Sequence, residues 1–356
     1  MQRDLRIDSL RGILLIIMTV DHLGGSLTYL TYQTFGYVTA AEGFIFLSGF
    51  VFAIVYSRYI NDRDMLLKRC FKRAWVIYKY HITLILIMLA LSYLIPKYQS
   101  YWQDWLGVFS MGTSDYISYG LLFLHQPRYM GVLPIYFLFL LVSPLLLIAI
   151  SKGKIGQVLV ISFILWISGQ YFNPLKALSN EFCSNCNPGF FNLFGWQIIW
   201  VIGLALGYIK YSGQHLRIAS NKYLFVIVFS LSLILFLSRH EFLDLGFDTA
   251  LAANRNDLGW LRLLNFILIV FLISYFIRNI SINRGIPWVM SLGQYSLQVY
   301  SFHVLLIYLL LPLKWRVIQI GGEAGYVFYT LLTIFMLTLP VVFYRKYQSI
   351  TLHVKK

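Results

Sequence analysis

The chain has 356 residues, of which 59% are hydrophobic and 12% are charged, and its mean hydropathy is +0.69. Soluble domains carry about 25% charged residues, so this composition excludes a soluble globular protein and predicts an all-α, polytopic integral membrane protein. The net charge of +15 would suit nucleic acid only if an exposed basic domain were present. None is evident, so we expect no nucleic-acid partner. We attribute the positive charge to the Lys and Arg residues that flank membrane-spanning segments, and we expect the partner to be a lipid bilayer.

Apolar runs long enough to cross a bilayer predict about ten transmembrane helices. The stretch 100–125 is predicted to be interfacial or re-entrant, because Trp, Tyr and Gly interrupt its apolar character. No internal repeat and no low-complexity linker is evident, so residues 1–356 are predicted to form a single transmembrane domain. The predicted spans are 12–30, 40–57, 74–95, 131–150, 156–172, 195–210, 223–238, 261–277, 292–312 and 326–343.

The distribution of charge predicts the orientation. Cytoplasmic loops are enriched in Lys and Arg, and with the N-terminus inside, 20 of the 29 Lys and Arg residues fall on the cytoplasmic side. Acidic residues concentrate in the opposite loops. We therefore expect both termini in the cytoplasm. Among the cytoplasmic cations are Arg3, Arg217, Arg284, Lys355 and Lys356.

The first predicted span, within RIDSLRGILLIIMTVDHLGGSL, contains Arg11, Asp21 and His22. Ionisable residues inside a membrane segment are candidates for function, because their burial in lipid is unfavourable. Eleven residues of helix rise about 16 Å and return to nearly the same face, so Arg11 is expected near the cytoplasmic end and His22 near mid-membrane. This arrangement suits an anionic cytosolic donor that delivers a group to a titratable base. Alternatively, His22 only connects helices.

The second span, AAEGFIFLSGFVFAIVYSRY, places Glu42 in its first turn. The antiparallel return from the first span is expected to bring Glu42 near the level of His22. Alternatively, Glu42 is an acid stabilised by the helix dipole. Gly43, Ser48 and Gly49 are small enough to let another helix or a ligand approach closely.

The third span begins with the basic stretch KRCFKRAWVIYKYH. Arg69 and Arg73 are four residues apart and share a helix face, with Lys72 beside them. Clustered Arg and Lys suit phosphate groups, although the positive-inside bias alone also accounts for them. Lys79 and Arg58 are further cations near this stretch.

Polar residues at the predicted outer face suggest where a sugar is held. His125 and Arg128 stand at the entrance to the fourth span, and FFNLFGWQ contributes Asn192, Trp196 and Gln197. His303, in the ninth span, is interpreted as a helix-packing histidine. Cys183 and Cys186 are candidates for a disulfide on an oxidising side of the membrane, and no residues are spaced to complete a metal site.

These motifs resemble the acyltransferase-3 superfamily of membrane enzymes. The similarity lies in RDLRIDSLRG, the histidine eleven residues after Arg11, EGFIFLSGF, KRCFKRAWVIYKYH and LGQYSLQVYSFH. Within that superfamily, the Asp–His pair, AEGFIFLSG and LHQPRYMGVLPIY most resemble the OpgC family, which is implicated in adding succinyl groups to osmoregulated periplasmic glucans.

The resemblance implies a multi-pass O-acyltransferase of the bacterial inner membrane with no permanently bound cofactor. His22 is then the catalytic histidine, with Asp21 or Glu42 orienting its imidazole. Arg11 contacts the acyl donor, and Arg69, Lys72 and Arg73 meet the phosphates of acyl-coenzyme A, expected to be succinyl-coenzyme A. The acceptor is a periplasmic glucan, and a transporter or flippase of a glycan or lipid-linked sugar is the alternative. The acyl group, the oligomeric state and the choice between direct transfer and an acyl-histidine remain open.

Overall fold

The computed structural model describes residues 4–214, 221–279 and 286–353, and these residues form helices without any strand. Arg3, Arg217, Arg284, Lys355 and Lys356 lie outside the described residues, and the predicted orientation stays a prediction. The helices are α1 Leu5–Leu23, α2 Ala40–Tyr56, α3 Arg63–Leu94, α4 Gln99–Leu106, α5 Val108–Met111, α6 Thr113–Leu121, α7 Val132–Ser151, α8 Ile155–Gly169, α9 Pro174–Phe182, α10 Leu193–Tyr211, α11 Lys222–Arg239, α12 Thr249–Ala252, α13 Trp260–Asn279, α14 Pro287–Gln294, α15 Ser296–Met336 and α16 Leu339–His353.

Several of these helices are compatible with membrane crossings. Among the described residues, seven are long and apolar enough to cross a bilayer, or eight if the bent pair α8 and α9 forms one span. Helix α1 is not among them, because it carries four charged residues, at positions 6, 8, 11 and 21. The all-helical prediction is confirmed over the described residues, and the number ten stays a prediction.

The first and the last predicted spans have different boundaries in the structure. The first was placed at 12–30, but α1 ends at Leu23, because Gly24 and Gly25 adopt positive φ angles of 66° and 99°, a common way to end a helix. His22 therefore lies in the last turn of α1. The last span was placed at 326–343, but α15 extends to Met336, with a non-helical residue at Gly322, and α16 begins at Leu339.

The stretch 100–125 forms short helices rather than another crossing. Helices α4, α5 and α6 have eight, four and nine residues, too few to cross a bilayer, which needs about 20. Gly107 and Gly112 separate them with positive φ angles of 76° and 87°. This agrees with the prediction that the stretch is not a further span.

The described residues group into two compact units that are interleaved along the chain. The first contains the described parts of Met1–Tyr32, Leu86–Trp105 and Ile282–Lys356, and the second contains those of Gln33–Ile85 and Leu106–Ser281. The prediction of a single domain stays a prediction.

In the first unit, glycines bring the backbones of α1 and α14 together. A Cβ atom on Gly12 would collide with the carbonyl oxygen of Val289, and one on Gly293 would collide with that of Asp8. Helices approach this closely where small residues leave room. The contact fixes the start of α15, which follows α14 after one residue.

In the second unit, α2 packs along α10 by the same means. Gly49 faces the carbonyl oxygen of Trp200, and Gly203 faces that of Phe46. Ser48 accepts a 2.7 Å hydrogen bond from the hydroxyl of Tyr136. The predicted close approach of another helix is confirmed at Gly49.

Large apolar side chains remain exposed on several helices of the second unit. Val226 and Ile227 on α11 are 61% and 56% exposed, and Val142 and Leu145 on α7 are 51% and 55% exposed. Exposed apolar patches of this kind mark surfaces that another apolar phase covers. For helices of this length and hydropathy, these exposed faces are compatible with a lipid bilayer.

We expect Gly12→Ala to destabilise the protein, because the added methyl group must push α1 and α14 apart. Overpacking of this kind costs about 1–3 kcal/mol. Gly156→Ala is the matched control, since a Cβ at that position of α8 meets nothing within 4 Å. Thermal unfolding of the purified proteins would measure the difference, and equal melting temperatures for the two variants would contradict the packing argument.

Candidate active site

The imidazole of His22 contacts a second imidazole at the end of α1. Its Nδ1 lies 3.1 Å from Nε2 of His303 on α15, and the two rings stack with centroids 5.3 Å apart. His22 is half-buried, whereas His303 is 1% exposed. The Nδ1 of His303 lies 2.5 Å from the carbonyl oxygen of Tyr300. Two histidines 281 residues apart in the sequence are therefore joined in one hydrogen-bonded chain.

Arg11 also contacts α15, at a position nearer the start of that helix than His303. Its Nη2 donates a 2.6 Å hydrogen bond to Oγ of Ser296, in the first turn of α15. Arg11 and His22 thus both contact α15, as their eleven-residue spacing predicts. We call Arg11, His22, Ser296 and His303 the α1 cluster.

Asp21, beside His22, accepts a 2.6 Å hydrogen bond from the hydroxyl of Thr31. Two side chains of α15 hold the backbone just after His22: Lys314 donates to the carbonyl oxygen of Leu23, and Tyr326 donates to that of Gly24. A cation at the carbonyl end of a helix is favourable, because the helix dipole is negative there. These contacts tie down the turn that carries His22.

Glu42 is fully buried in the second unit and is paired with Arg262 of α13. Arg262 Nη1 donates to Glu42 Oε1 at 2.6 Å, and the two side chains are 2% and 0% exposed. The other carboxylate oxygen accepts from the backbone N–H and the hydroxyl of Thr39, at 2.9 and 2.6 Å. Glu42 therefore caps α2 and neutralises a buried arginine, and its predicted role in orienting His22 stays a prediction.

The predicted phosphate-binding residues lie exposed on the first turns of α3. The guanidinium of Arg69 stacks 4.4 Å from the ring centroid of Tyr59, and that of Arg58 lies 5.8 Å from the same centroid. Lys72 and Arg73 are also exposed. These side chains form a cationic, solvent-accessible surface, as their spacing predicts, and Tyr59 adds an aromatic ring to it.

His125 is buried and bonded to backbone on both ring nitrogens. Its Nε2 lies 2.7 Å from the carbonyl oxygen of Leu106, and its Nδ1 accepts from the N–H of Asn187 at 3.3 Å. Burial lowers the pKa of His125, because removal from water penalises the imidazolium. The structure thus gives His125 a neutral, loop-fixing position, while Arg128 is exposed.

Gln126, between these two residues, is an exception to the rule that buried polar groups are paired. It is 3% exposed, and within the described chain neither its side-chain nitrogen nor its oxygen has a hydrogen-bond partner. A buried amide in this state favours any ligand that supplies the missing partners.

The remaining predicted acceptor residues are engaged within the protein. The Nδ2 of Asn192 donates to the Gly169 carbonyl at 2.8 Å and to the Asp257 carboxylate at 2.9 Å. Trp196 is 0% exposed, and its indole N–H donates to backbone carbonyls. Gln197 Nε2 donates to the carbonyl of Ser162 at 2.7 Å. They fix the start of α10, and their role toward a sugar stays a prediction.

Cys183 and Cys186 are joined by a disulfide bond, one of the two states that the sequence allows. Among the described residues there is no group of three or more His, Cys, Asp or Glu side chains placed to hold a metal ion.

Three contributors to these arrangements were missed from the sequence: Ser296, Arg262 and the pairing of His303 with His22. A signal existed for the late helix, because Gly293, Ser296, Tyr300 and His303 recur at spacings of three and four. Such positions share one helix face. That face is the one turned toward α1, and His303 has a partner beyond helix packing. Arg262 lies within the predicted span 261–277, where a charged residue signals a partner, but the sequence could not identify that partner, which is 220 residues away.

The fold and these sites define an all-helical protein with several helices compatible with membrane crossings, and with titratable side chains held between its helices. The family model described as "OpgC protein" matches residues 3–349, so the chain belongs to the OpgC family, as its motifs predicted. This family is membrane-associated and suggests a glucan-modifying acyltransferase. No curated protein and no solved structure matches the chain.

We expect Arg262→Met to destabilise the protein strongly, because it leaves the Glu42 carboxylate buried without its countercharge. Breaking a buried ion pair in this way costs about 3–5 kcal/mol. Adding Glu42→Gln should recover part of the loss, since glutamine keeps the acceptor for Thr39 and removes the charge.

Arg6→Met provides the matched control for that experiment. Arg6 pairs with Asp4 at 3.1 Å, but its side chain is 45% exposed, and exposed pairs contribute about 1 kcal/mol or less. Thermal unfolding should rank Arg262→Met well below both Arg6→Met and the double variant. A double variant as unstable as Arg262→Met alone would refute the charge argument.

Proposed function

We propose that this protein is an inner-membrane O-acyltransferase that moves an acyl group, expected to be succinyl, from acyl-coenzyme A to a hydroxyl group of a periplasmic glucan. The observation that carries the proposal is the His22 imidazole, which contacts α15 on the same face of α1 as Arg11. Histidine takes up and releases protons near neutral pH. In a family that suggests a glucan-modifying acyltransferase, His22 is the candidate general base.

The proposed reaction transfers the acyl group directly. His22 takes the proton of a sugar hydroxyl, and the oxygen attacks the thioester carbonyl carbon. The C–S bond then breaks, and the thiolate of coenzyme A leaves and takes the proton from His22. Arg11 is proposed to contact the donor near its acyl end. A route through an acyl-histidine is the alternative for the same residue.

Arg69, Lys72 and Arg73 are proposed to bind the phosphate groups of the donor. Their exposure and shared position at the start of α3 support this role, because a dense set of cations suits a multiply charged anion. Lys79 and Arg58 are candidates for the additional carboxylate of a succinyl group.

The acceptor is proposed to bind near the loop that carries His125 and Arg128 and the start of α10 with Asn192, Trp196 and Gln197. Exposed Arg128 and the unpaired amide of Gln126 support this location, since a glucan presents many hydroxyl groups that donate and accept hydrogen bonds. The side chains that are buried and bonded internally are proposed to shape the site rather than contact the sugar.

The proposed orientation places this loop outside and both termini in the cytoplasm. The disulfide between Cys183 and Cys186 supports an outer position for the segment before α10, because disulfides form in the periplasm and are rare in the bacterial cytosol.

We expect His22→Ala to lower acyl transfer by about 10²–10⁴-fold, the usual contribution of a general base, in a protein that still folds. Purified protein in lipid, incubated with radiolabelled succinyl-coenzyme A and osmoregulated glucans, would give the rate as labelled glucan. His240→Ala is the control, because His240 lies in the second unit, next to Thr34. Normal transfer by His22→Ala would refute the catalytic role, and movement of unmodified glycan across vesicles would favour a transporter.

We expect Arg69→Ala together with Arg73→Ala to raise the KM for the donor without a comparable fall in kcat, because only donor binding is weakened. Raising the ionic strength should raise the donor KM of the wild type and narrow the gap to the variant. Lys152→Ala, which removes an exposed cation at the end of α7, is the control. An unchanged donor KM in the double variant would place the phosphates elsewhere.

A further inference from the structure

His303 sits in a chain of two hydrogen bonds whose direction can be worked out. A carbonyl oxygen only accepts hydrogen bonds, so the 2.5 Å contact with the Tyr300 carbonyl requires a hydrogen on Nδ1 of His303. The described polar contacts of His303 are this carbonyl and His22, and neither is a carboxylate. A buried imidazolium needs such a countercharge, so the ring is assigned as neutral.

The tautomer of His22 follows from that of His303. In a neutral imidazole one nitrogen carries the hydrogen and the other a lone pair, so Nε2 of His303 is an acceptor. The 3.1 Å contact then requires that Nδ1 of His22 donates. A neutral His22 with its hydrogen on Nδ1 carries a lone pair on Nε2.

We propose that His303 is a positioning residue, which holds His22 in the Nδ1–H tautomer and so presents Nε2 as the base in acyl transfer. The inference rests on the proposed function, in which His22 accepts the proton of the sugar hydroxyl. When Nε2 takes that proton, His22 becomes an imidazolium. The Nε2 lone pair of His303 then stabilises it by accepting from Nδ1–H, and the proton leaves with the coenzyme A thiol.

This role differs from that of the aspartate in a serine-protease triad. There a carboxylate holds the tautomer and stabilises the imidazolium by charge as well as by hydrogen bonding. Here a neutral imidazole supplies the hydrogen bond alone. His303 does not touch the substrate in this scheme, and it acts only through His22.

A helix-packing histidine would make a different prediction. Packing depends on volume, so an apolar side chain of similar size would preserve activity. A positioning histidine depends on the acceptor atom at Nε2, so activity should follow whether the replacement retains an acceptor at that place. His303→Leu removes the acceptor, whereas the side-chain oxygen of His303→Gln can still accept from His22.

The tautomer itself can be measured without any turnover. Nitrogen-15 NMR of the full-length protein in lipid, labelled at its seven histidines, distinguishes a ring nitrogen that carries hydrogen from one that does not. His22→Gln identifies the His22 signals by their loss. We expect His22 in the wild type to carry hydrogen on Nδ1, with Nε2 unprotonated. A wild-type signal with hydrogen on Nε2 and none on Nδ1 would overturn the inference.

Kinetics test the functional part. We expect His303→Leu to lower kcat at least 100-fold with an unchanged donor KM, and His303→Gln to retain at least tenfold more kcat than His303→Leu. His240→Leu is the control for loss of a histidine elsewhere. Equal kcat values for His303→Leu and wild type would overturn the positioning role.

The two measurements separate the inference from the proposed function. The NMR result on the wild type does not require acyl transfer, and His22→Gln serves only to assign its signals. If His22 has the Nδ1–H tautomer but the wild type transfers no acyl group, the proposed function fails while the tautomer assignment stands. If transfer depends on His22 but its hydrogen lies on Nε2, the inference fails and the function stands.

Discussion

Polar and charged side chains on apolar helices need partners within the protein, because neither lipid nor a packed core can solvate them. In the described structure this constraint is met by pairing across helices that are far apart in the sequence. Arg262 donates to Glu42, and His22 contacts His303. Each pair fixes the relative position of two helices within its own unit. Satisfying the polar groups and defining the fold are therefore one requirement.

Close backbone approach makes these pairs geometrically accessible. In the first unit, Gly12 and Gly293 let α1 and α14 touch through their backbones. Helix α15 follows directly and runs along α1, so that Ser296 and His303 meet the side chains that α1 directs toward them. A larger residue at either glycine would separate the helices and break the alignment. The contact between His22 and His303 thus depends on a packing feature two to three helical turns away.

The α1 cluster combines a fixed cation with a titratable ring. Arginine remains protonated at all relevant pH values, so Arg11 offers a constant charge, whereas His22 supplies an imidazole, the side-chain type used most often to take up and release protons. The charge of Arg11 and the imidazole of His22 thus lie apart on one face of α1. This arrangement suits the proposed reaction, in which a cation holds an anionic donor while a base deprotonates a neutral hydroxyl. The second unit carries cationic and amide side chains at exposed and buried positions, respectively, and in the proposed function these bind the substrates and do not accept the proton.

Local features of the sequence were enough to predict the helical class, most helix positions, the shared face of Arg11 and His22, and the family. The first three depend on composition and periodicity and the family on the resemblance of short motifs, all of which one chain displays directly. The end of α1 at Leu23 was misplaced, because apolar residues continue past two glycines whose backbone angles stop the helix. The partners of Glu42 and His22 lie 220 and 281 residues away, and helical periodicity says which face a residue occupies but not which helix packs against it. Only the tertiary structure decided those pairings, because they follow from how glycine-lined helices dock and from the need to leave few buried polar groups unpaired.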